Sequence, residues 1–161
     1  MPTKARQPAR TPAPPTLLYL MKQVELAVRA RLEELARPVG LTALQYTALT
    51  VLERHPDLTS AHLARHSFVT TQTMSDMVTA LLDRGLIERH RDSVDRRRLV
   101  ISLTDAGRHC LAQLRPSVIA LEAEMLADLT EPEADALRQA ILSCREALLG
   151  RTGHPAALSS M

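Results

Sequence analysis

Hydrophobic positions recur every three or four residues over most of this chain, and two short runs, the second rich in β-branched residues, interrupt that period. The pattern predicts helices with one small hairpin among them. From Thr16 the series Leu17, Met21, Val24, Val28, Leu32, Leu35 and Val39 keeps helical spacing until Pro38 and Gly40 break it. Thr42 and Gln45 then have the spacing of a capping box, and Leu41 and Tyr46 that of a hydrophobic staple, so a second helix starts there and stops before Pro56. Leu58 and Thr59 can add a short strand, and Ser60–His66 predicts a third helix. In the helix after it, Thr70 is the expected N-cap and Gly85 the expected terminator, with Met74, Met77, Val78, Leu81 and Leu82 forming one apolar stripe between them.

The two runs that break the helical period are residues 86–90 and 99–103, expected to pair as strands. Beyond them Thr104 and Asp105 open a helix whose apolar positions are Leu111, Leu114, Val118, Leu121 and Met125, with a bend expected at Pro116. A second capping box, Thr130 and Glu133, starts a last helix with Ala134, Leu137, Ile141, Cys144 and Leu148 at the same spacing. These seams, with the first helix, carry more apolar surface than one small domain can cover, so part of it is expected to bury against a second copy.

Polar positions add chemistry to that frame. Opposite the stripe of the fourth helix stand Gln72, Asp76, Thr79 and Asp83, flanked by Thr71, Thr73 and Ser75. Short hydrogen-bonding side chains near a helix N-terminus suit base edges in a major groove. An ordinary amphipathic surface helix would look the same. Between Glu88 and Arg98, however, lie five arginines (Arg89, Arg91, Arg96, Arg97 and Arg98) against the three acids Glu88, Asp92 and Asp95. A hairpin with such a tip can lie along a phosphate backbone and send one guanidinium into a minor groove. Alone it would pass for a solvated charged hairpin; helix and hairpin together are far more specific.

The segments LLDRGLIER, DxxDRR at residues 92–97 and LTDAG at residues 103–107 carry a resemblance. Residues 63–107 resemble the winged helix-turn-helix core of the MarR family of bacterial transcriptional regulators. The resemblance implies a mainly α fold with a small β-wing, about six helices, and terminal helices forming a dimerisation domain. It implies that Arg97 is the wing arginine of the minor groove, braced by Asp95, with Arg91, Arg96 and Arg98 beside it on the wing. It also implies a ligand cleft for small aromatic or amphipathic anions, for which Tyr19 and Tyr46 can each offer a ring and a hydroxyl. Two recognition helices one DNA turn apart, about 34 Å, would then read an inverted repeat.

Composition changes this picture little. The 161 residues suit one domain, and 45% hydrophobic with 2% aromatic and no Trp favours an Ala- and Leu-rich helical protein. A net charge of +2 means that nucleic-acid affinity must come from local patches. The expected organisation is a Pro-rich basic arm at 1–15, an N-terminal dimerisation helix at 16–40, a DNA-binding lobe at 41–103, C-terminal dimerisation helices at 104–149 and a tail at 150–161. Two cysteines and an N-terminus without an apolar core region make the cytoplasm the expected compartment, and no apolar run is long enough to span a membrane. His62 and His66 are four apart but lack a third ligand, and no nucleophile–base pair or phosphate loop appears, so neither a metal, a cofactor nor an enzymatic activity is expected.

The reading is a dimeric, sequence-specific DNA-binding transcriptional regulator, a repressor of an inverted-repeat operator relieved by a small-molecule effector. Two alternatives stand beside it. One is a winged-helix protein-interaction module without operator reading, motivated by the low net charge and by Asp76, where the family often has a basic residue. The other is a redox-sensing regulator using Cys110 and Cys144.

Overall fold

The structure is a computed structural model that describes residues 13–149. Most of the expected basic arm, and the tail at 150–161, lie outside the described residues. Six α-helices and one two-stranded antiparallel sheet are present among them: α1 Leu17–Ala36, α2 Ala43–Arg54, α3 Ser60–His66, α4 Thr71–Asp83, β1 Ile87–Arg91, β2 Leu99–Leu103, α5 Asp105–Met125 and α6 Glu131–Leu149. A 3-10 turn, Arg37–Val39, closes the first helix. The described residues divide into two units within α5, the first ending at Arg115 and the second beginning at Pro116.

Helix starts follow the side-chain oxygens that can satisfy free amides of the first turn. Thr16, Thr59 and Thr70 each accept from the backbone three residues on, and Thr42 with Gln45 forms the full reciprocal box. Thr130 behaves differently from a standard box: the Glu133 carboxylate accepts from both its amide at 2.8 Å and its hydroxyl at 2.7 Å. Those bonds hold the Glu133 carboxyl below the usual carboxylate range, the hydroxyl contributing most.

Helix ends turn on left-handed residues. Gly85 (φ 67°) ends α4, with Gly85 N–H donating to the Leu82 carbonyl and Leu86 N–H to that of Leu81. Gly40 (φ 72°) does the same after the 3-10 turn. At the end of α3 the left-handed place falls to Phe68 (φ 56°), a conformation that costs a residue with a Cβ roughly 1–2 kcal/mol.

The core of the first unit is the apolar stripe of α4 set against α2, α3 and the sheet. Leu49, Leu63, Met74, Val78, Leu81 and Val100 are all fully buried. Ala36 at the end of α1 and Cys110, Leu111 and Leu114 of α5 close it. β1 pairs with β2 from Ile87↔Leu103 to Arg91↔Leu99, and Leu58 forms the expected third-strand bridge, its carbonyl accepting from Ile101 N–H at 2.8 Å. The sheet and α5 approach so closely at Gly107 that a Cβ there would overlap the Leu86 carbonyl oxygen. Thr104 ties the same junction, donating its hydroxyl to the Gly85 carbonyl at 2.6 Å and accepting from Gly107 N–H. LTDAG is thus the segment that seats α5 on the start of the wing.

Outside this core the apolar seams are uncovered. Leu17, Met21 and Val24 of α1 are exposed, and only from Val28 onward does that helix gain cover. In the second unit α6 has no buried residue; Leu137, Ile141, Cys144 and Leu148 all face outward. Cys110 packs in the core, whereas Cys144 does not have apolar surroundings in a single chain, because the face that carries it has no cover. No helix among the described residues is long and apolar enough to cross a membrane.

Candidate nucleic-acid interface

The polar face of α4 is built by the burial of its opposite side. Once Met74, Met77, Val78 and Leu81 are fixed in the core, Thr71, Gln72, Thr73, Ser75, Asp76 and Thr79 are all directed to solvent. Their hydrogen bonds differ. Thr70 Oγ1 accepts from the Thr73 amide at 3.1 Å and lies 2.9 Å from the Thr73 hydroxyl, which fixes the first turn. Thr79 donates back to the Ser75 carbonyl. Gln72 Nε2 donates to Asp76 Oδ1 at 3.2 Å, one turn along. Asp76 therefore holds the Gln72 amide group through its nitrogen, and the Gln72 carbonyl oxygen, an acceptor suited to adenine N6, takes no hydrogen bond among the described residues.

The wing loop between β1 and β2 is organised by its two aspartates. Asp92 Oδ1 accepts from the amides of Val94 at 2.8 Å and Asp95 at 3.3 Å, a turn that mimics a backbone turn with a side chain. These bonds, that from Val94 foremost, hold the Asp92 carboxyl below its usual range. Asp95 Oδ1 in turn accepts from the Arg97 main-chain amide at 3.1 Å, so its bracing of Arg97 runs through the backbone and not through the guanidinium. Asp92 N–H to the Arg98 carbonyl and Arg98 N–H to the Asp95 carbonyl close the loop.

Four of the five arginines, those at and beside the loop, then separate into two kinds. Arg91 turns inward, donating to the carbonyls of Arg96 at 3.4 Å and Arg97 at 3.5 Å, and Arg98 leans on Asp92 at 4.0 Å. These two shape the loop. Arg96 and Arg97 are exposed, and among the described residues their guanidinium groups carry no hydrogen bond or ion pair. The wing is anchored near the loop end of β1 as well: His90 Nε2 lies 2.9 Å from Asp57 Oδ1, in the turn between α2 and α3. That anchor had no signal in residue spacing, because Asp57 and His90 sit on different elements.

The other chemistry singled out in the sequence has less to do here. His62 is held below the usual histidine range by loss of hydration and by Arg65 and Arg98. His66 packs against the ring of His55 at 5.1 Å between centroids. Among the described residues no group of three or more His, Cys, Asp or Glu side chains could hold a metal ion. Tyr19 is exposed, its hydroxyl accepting from Gln23 Nε2 at 3.1 Å, while Tyr46 packs against the core with its hydroxyl pKa raised by burial.

An exposed hydrogen-bonding helix face beside an arginine-tipped, rigidly turned hairpin defines a winged helix-turn-helix DNA-binding protein. Comparison with known proteins agrees. The MarR family model matches residues 39–98. The HTH-type transcriptional repressor Rv2887 of Mycobacterium tuberculosis is 35% identical over 115 residues, 71% of this chain and 83% of that protein. A MarR family transcriptional regulator from Silicibacter pomeroyi matches with a TM-score of 0.78 and 26% identity, covering 86% of this chain and 91% of that one. The structure of Rv2887 in complex with DNA matches with a TM-score of 0.67 and 30% identity, over 81% of this chain and 98% of that one. Rv2887 in complex with salicylic acid gives a TM-score of 0.67 and 31% identity, over 81% and 97%. The chain belongs to the MarR family, a family of transcriptional regulators and not of enzymes.

Proposed function

We infer that the protein is a homodimeric, operator-binding repressor whose two copies of α4 read the half-sites of an inverted repeat. The single observation that carries this reading is the free pair Arg96 and Arg97, held on a braced loop beside the exposed face of α4. Bases would be read by Gln72, Thr73, Ser75 and Asp76, and the minor groove by Arg97. The uncovered seams on α1 and α6 support the dimer, since apolar surface of that extent calls for a partner, and a second copy supplies the symmetry an inverted repeat requires. The relative crystallised with DNA supports the same partner.

Relief by a small molecule is supported by a cavity of about 540 Å³ between α1, α2 and the turn after α3. Arg29 supplies positive charge, Lys22 is paired with Glu25 of the same wall at 2.8 Å, Val28, Leu32 and Leu44 supply apolar walls, and Phe68 stands at its edge. The Ser67 hydroxyl, buried in that wall, has no hydrogen-bond partner among the described residues. The Arg29 guanidinium, apolar walls and an unsatisfied hydroxyl suit an amphipathic anion, the chemistry of the salicylic acid bound by Rv2887. Tyr19 and Tyr46, the expected cleft residues, are not among the side chains lining it. An effector favouring a dimer with the wrong helix separation would weaken DNA binding by its differential affinity for that state.

The test is fluorescence anisotropy of the protein on the intergenic DNA upstream of its own gene against scrambled DNA of equal length, at two salt concentrations. A strong preference, with affinity falling by about one log unit per log salt for each phosphate neutralised, supports the reading. Equal weak binding to every DNA, including fragments selected genome-wide, would overturn it and leave a winged-helix interaction module.

A further inference from the structure

Arg84 is the C-cap of α4, and its side chain reaches back 44 residues in sequence to the corner between α1 and α2. One guanidinium nitrogen donates to the Gly40 carbonyl at 2.6 Å and the other to the Val39 carbonyl at 2.8 Å. These carbonyls lie at the end of the 3-10 turn, where backbone acceptors are left over and the negative end of the turn's dipole gathers. A planar fork can take two successive carbonyls at once; an ammonium acts as a point. Gly40 is part of the fit: it is left-handed, and a Cβ there would stand 3.4 Å from the guanidinium.

The position of this clamp matters more than its strength. α4 has 13 residues, and at 1.5 Å per residue it is about 20 Å long, so a rotation of about 3° at its C-terminus moves its first turn by about 1 Å. Displacements of that size spoil paired hydrogen bonds to a base. The corner that Arg84 grips is the end of α1, and α1 also supplies Lys22, Arg29 and Leu32 to the wall of the cavity. One side chain thus joins the end of α1, the helix that carries those wall residues, to the helix that faces the bases.

We propose that Arg84 is a positioning residue that sets the angle of α4 against α1, and through which a shift of α1 reaches the DNA-reading face. The proposal rests on the operator-binding reading above. The full-length protein and its Arg84→Gln and Arg84→Lys variants are compared by anisotropy on operator and scrambled DNA at two salt concentrations, by thermal unfolding, and by amide hydrogen exchange.

Arg84→Gln is expected to weaken operator binding by about ten-fold, the loss that goes with one charge-assisted hydrogen bond, while scrambled-DNA affinity and salt slope stay put. Arg84→Lys should fall between Gln and wild type. Exchange at residues 36–41 and 81–86 should quicken together in Arg84→Gln. Equal losses on operator and scrambled DNA with a shallower salt slope would make Arg84 a phosphate contact and overturn the proposal. A lowered melting temperature with unchanged operator affinity would make it a stabiliser only, and would overturn the proposal as well. If the wild-type protein prefers no DNA, the operator reading fails, and exchange alone decides the clamp: unchanged rates in either segment overturn it.

Discussion

Arg97 stands apart from its neighbours through what surrounds it. Asp95 fixes its main chain, Arg91 spans the carbonyls beside it, and its guanidinium is left free on the outside of the loop. A charged group on a main chain already held in place loses less entropy on entering a groove than one on a mobile tip. Arg97→Ala should therefore cost on the order of 1–3 kcal/mol in operator binding, measured at matched salt. Unchanged affinity would move the minor-groove role elsewhere on the wing. That arginines cluster here was legible in sequence, whereas the partnership of Asp95 with Arg97 was an implication of the family resemblance. Which arginines point outward was not legible, because charge type carries no direction. Asp76 makes the same point: it is an unusual acid on a helix proposed to face DNA until its hydrogen bond to Gln72 gives it a task.

Among the elements, the wing and its junction with α5 are where local chemistry shapes the interface. The Asp92 turn holds the loop, and its carboxyl titrates below its ordinary value of 3.8 because the ionised form accepts two amides. A depressed folded-state pKa contributes stability that is present above the unfolded value and lost as pH falls through the folded one. The loop should therefore keep its order down to about pH 4 and loosen only below that, followed by NMR shifts of the Val94 and Asp95 amides. Loosening already near pH 5 would contradict the assignment. At the junction, Gly107→Ala would drive a methyl into the Leu86 carbonyl, which is backbone and cannot rotate away. Overpacking of that kind costs roughly 1–3 kcal/mol, so thermal unfolding should begin several degrees lower. An unchanged midpoint would show that the strand start can yield. Caps were the most legible feature of these elements: Thr42, Thr70 and Gly85 announce their helix ends through side-chain and backbone chemistry local to a few residues. Close approaches such as Gly107 on Leu86, or Arg84 on Gly40, join distant parts of the chain and leave no periodic trace. Phe68 was hidden for another reason, since a left-handed corner without glycine breaks the rule by which such corners are recognised.

Across the whole molecule, the apolar periodicity of the sequence divides into two fates. Where α4 carries it, the stripe is buried within the chain; on α6 and the first half of α1 it remains outside. Spacing alone does not separate these cases, but the excess of apolar helix over what one small core can cover is legible in the sequence itself. A second copy would bury that excess and would fix two reading helices on one two-fold axis. The most direct measurement is selection of bound sequences from a random DNA pool by the purified full-length protein. Two copies of α4 related by two-fold symmetry should enrich an inverted repeat with half-site centres about 10 base pairs apart, one helical turn. Enrichment of a single unrepeated half-site, or of no sequence, would contradict the account.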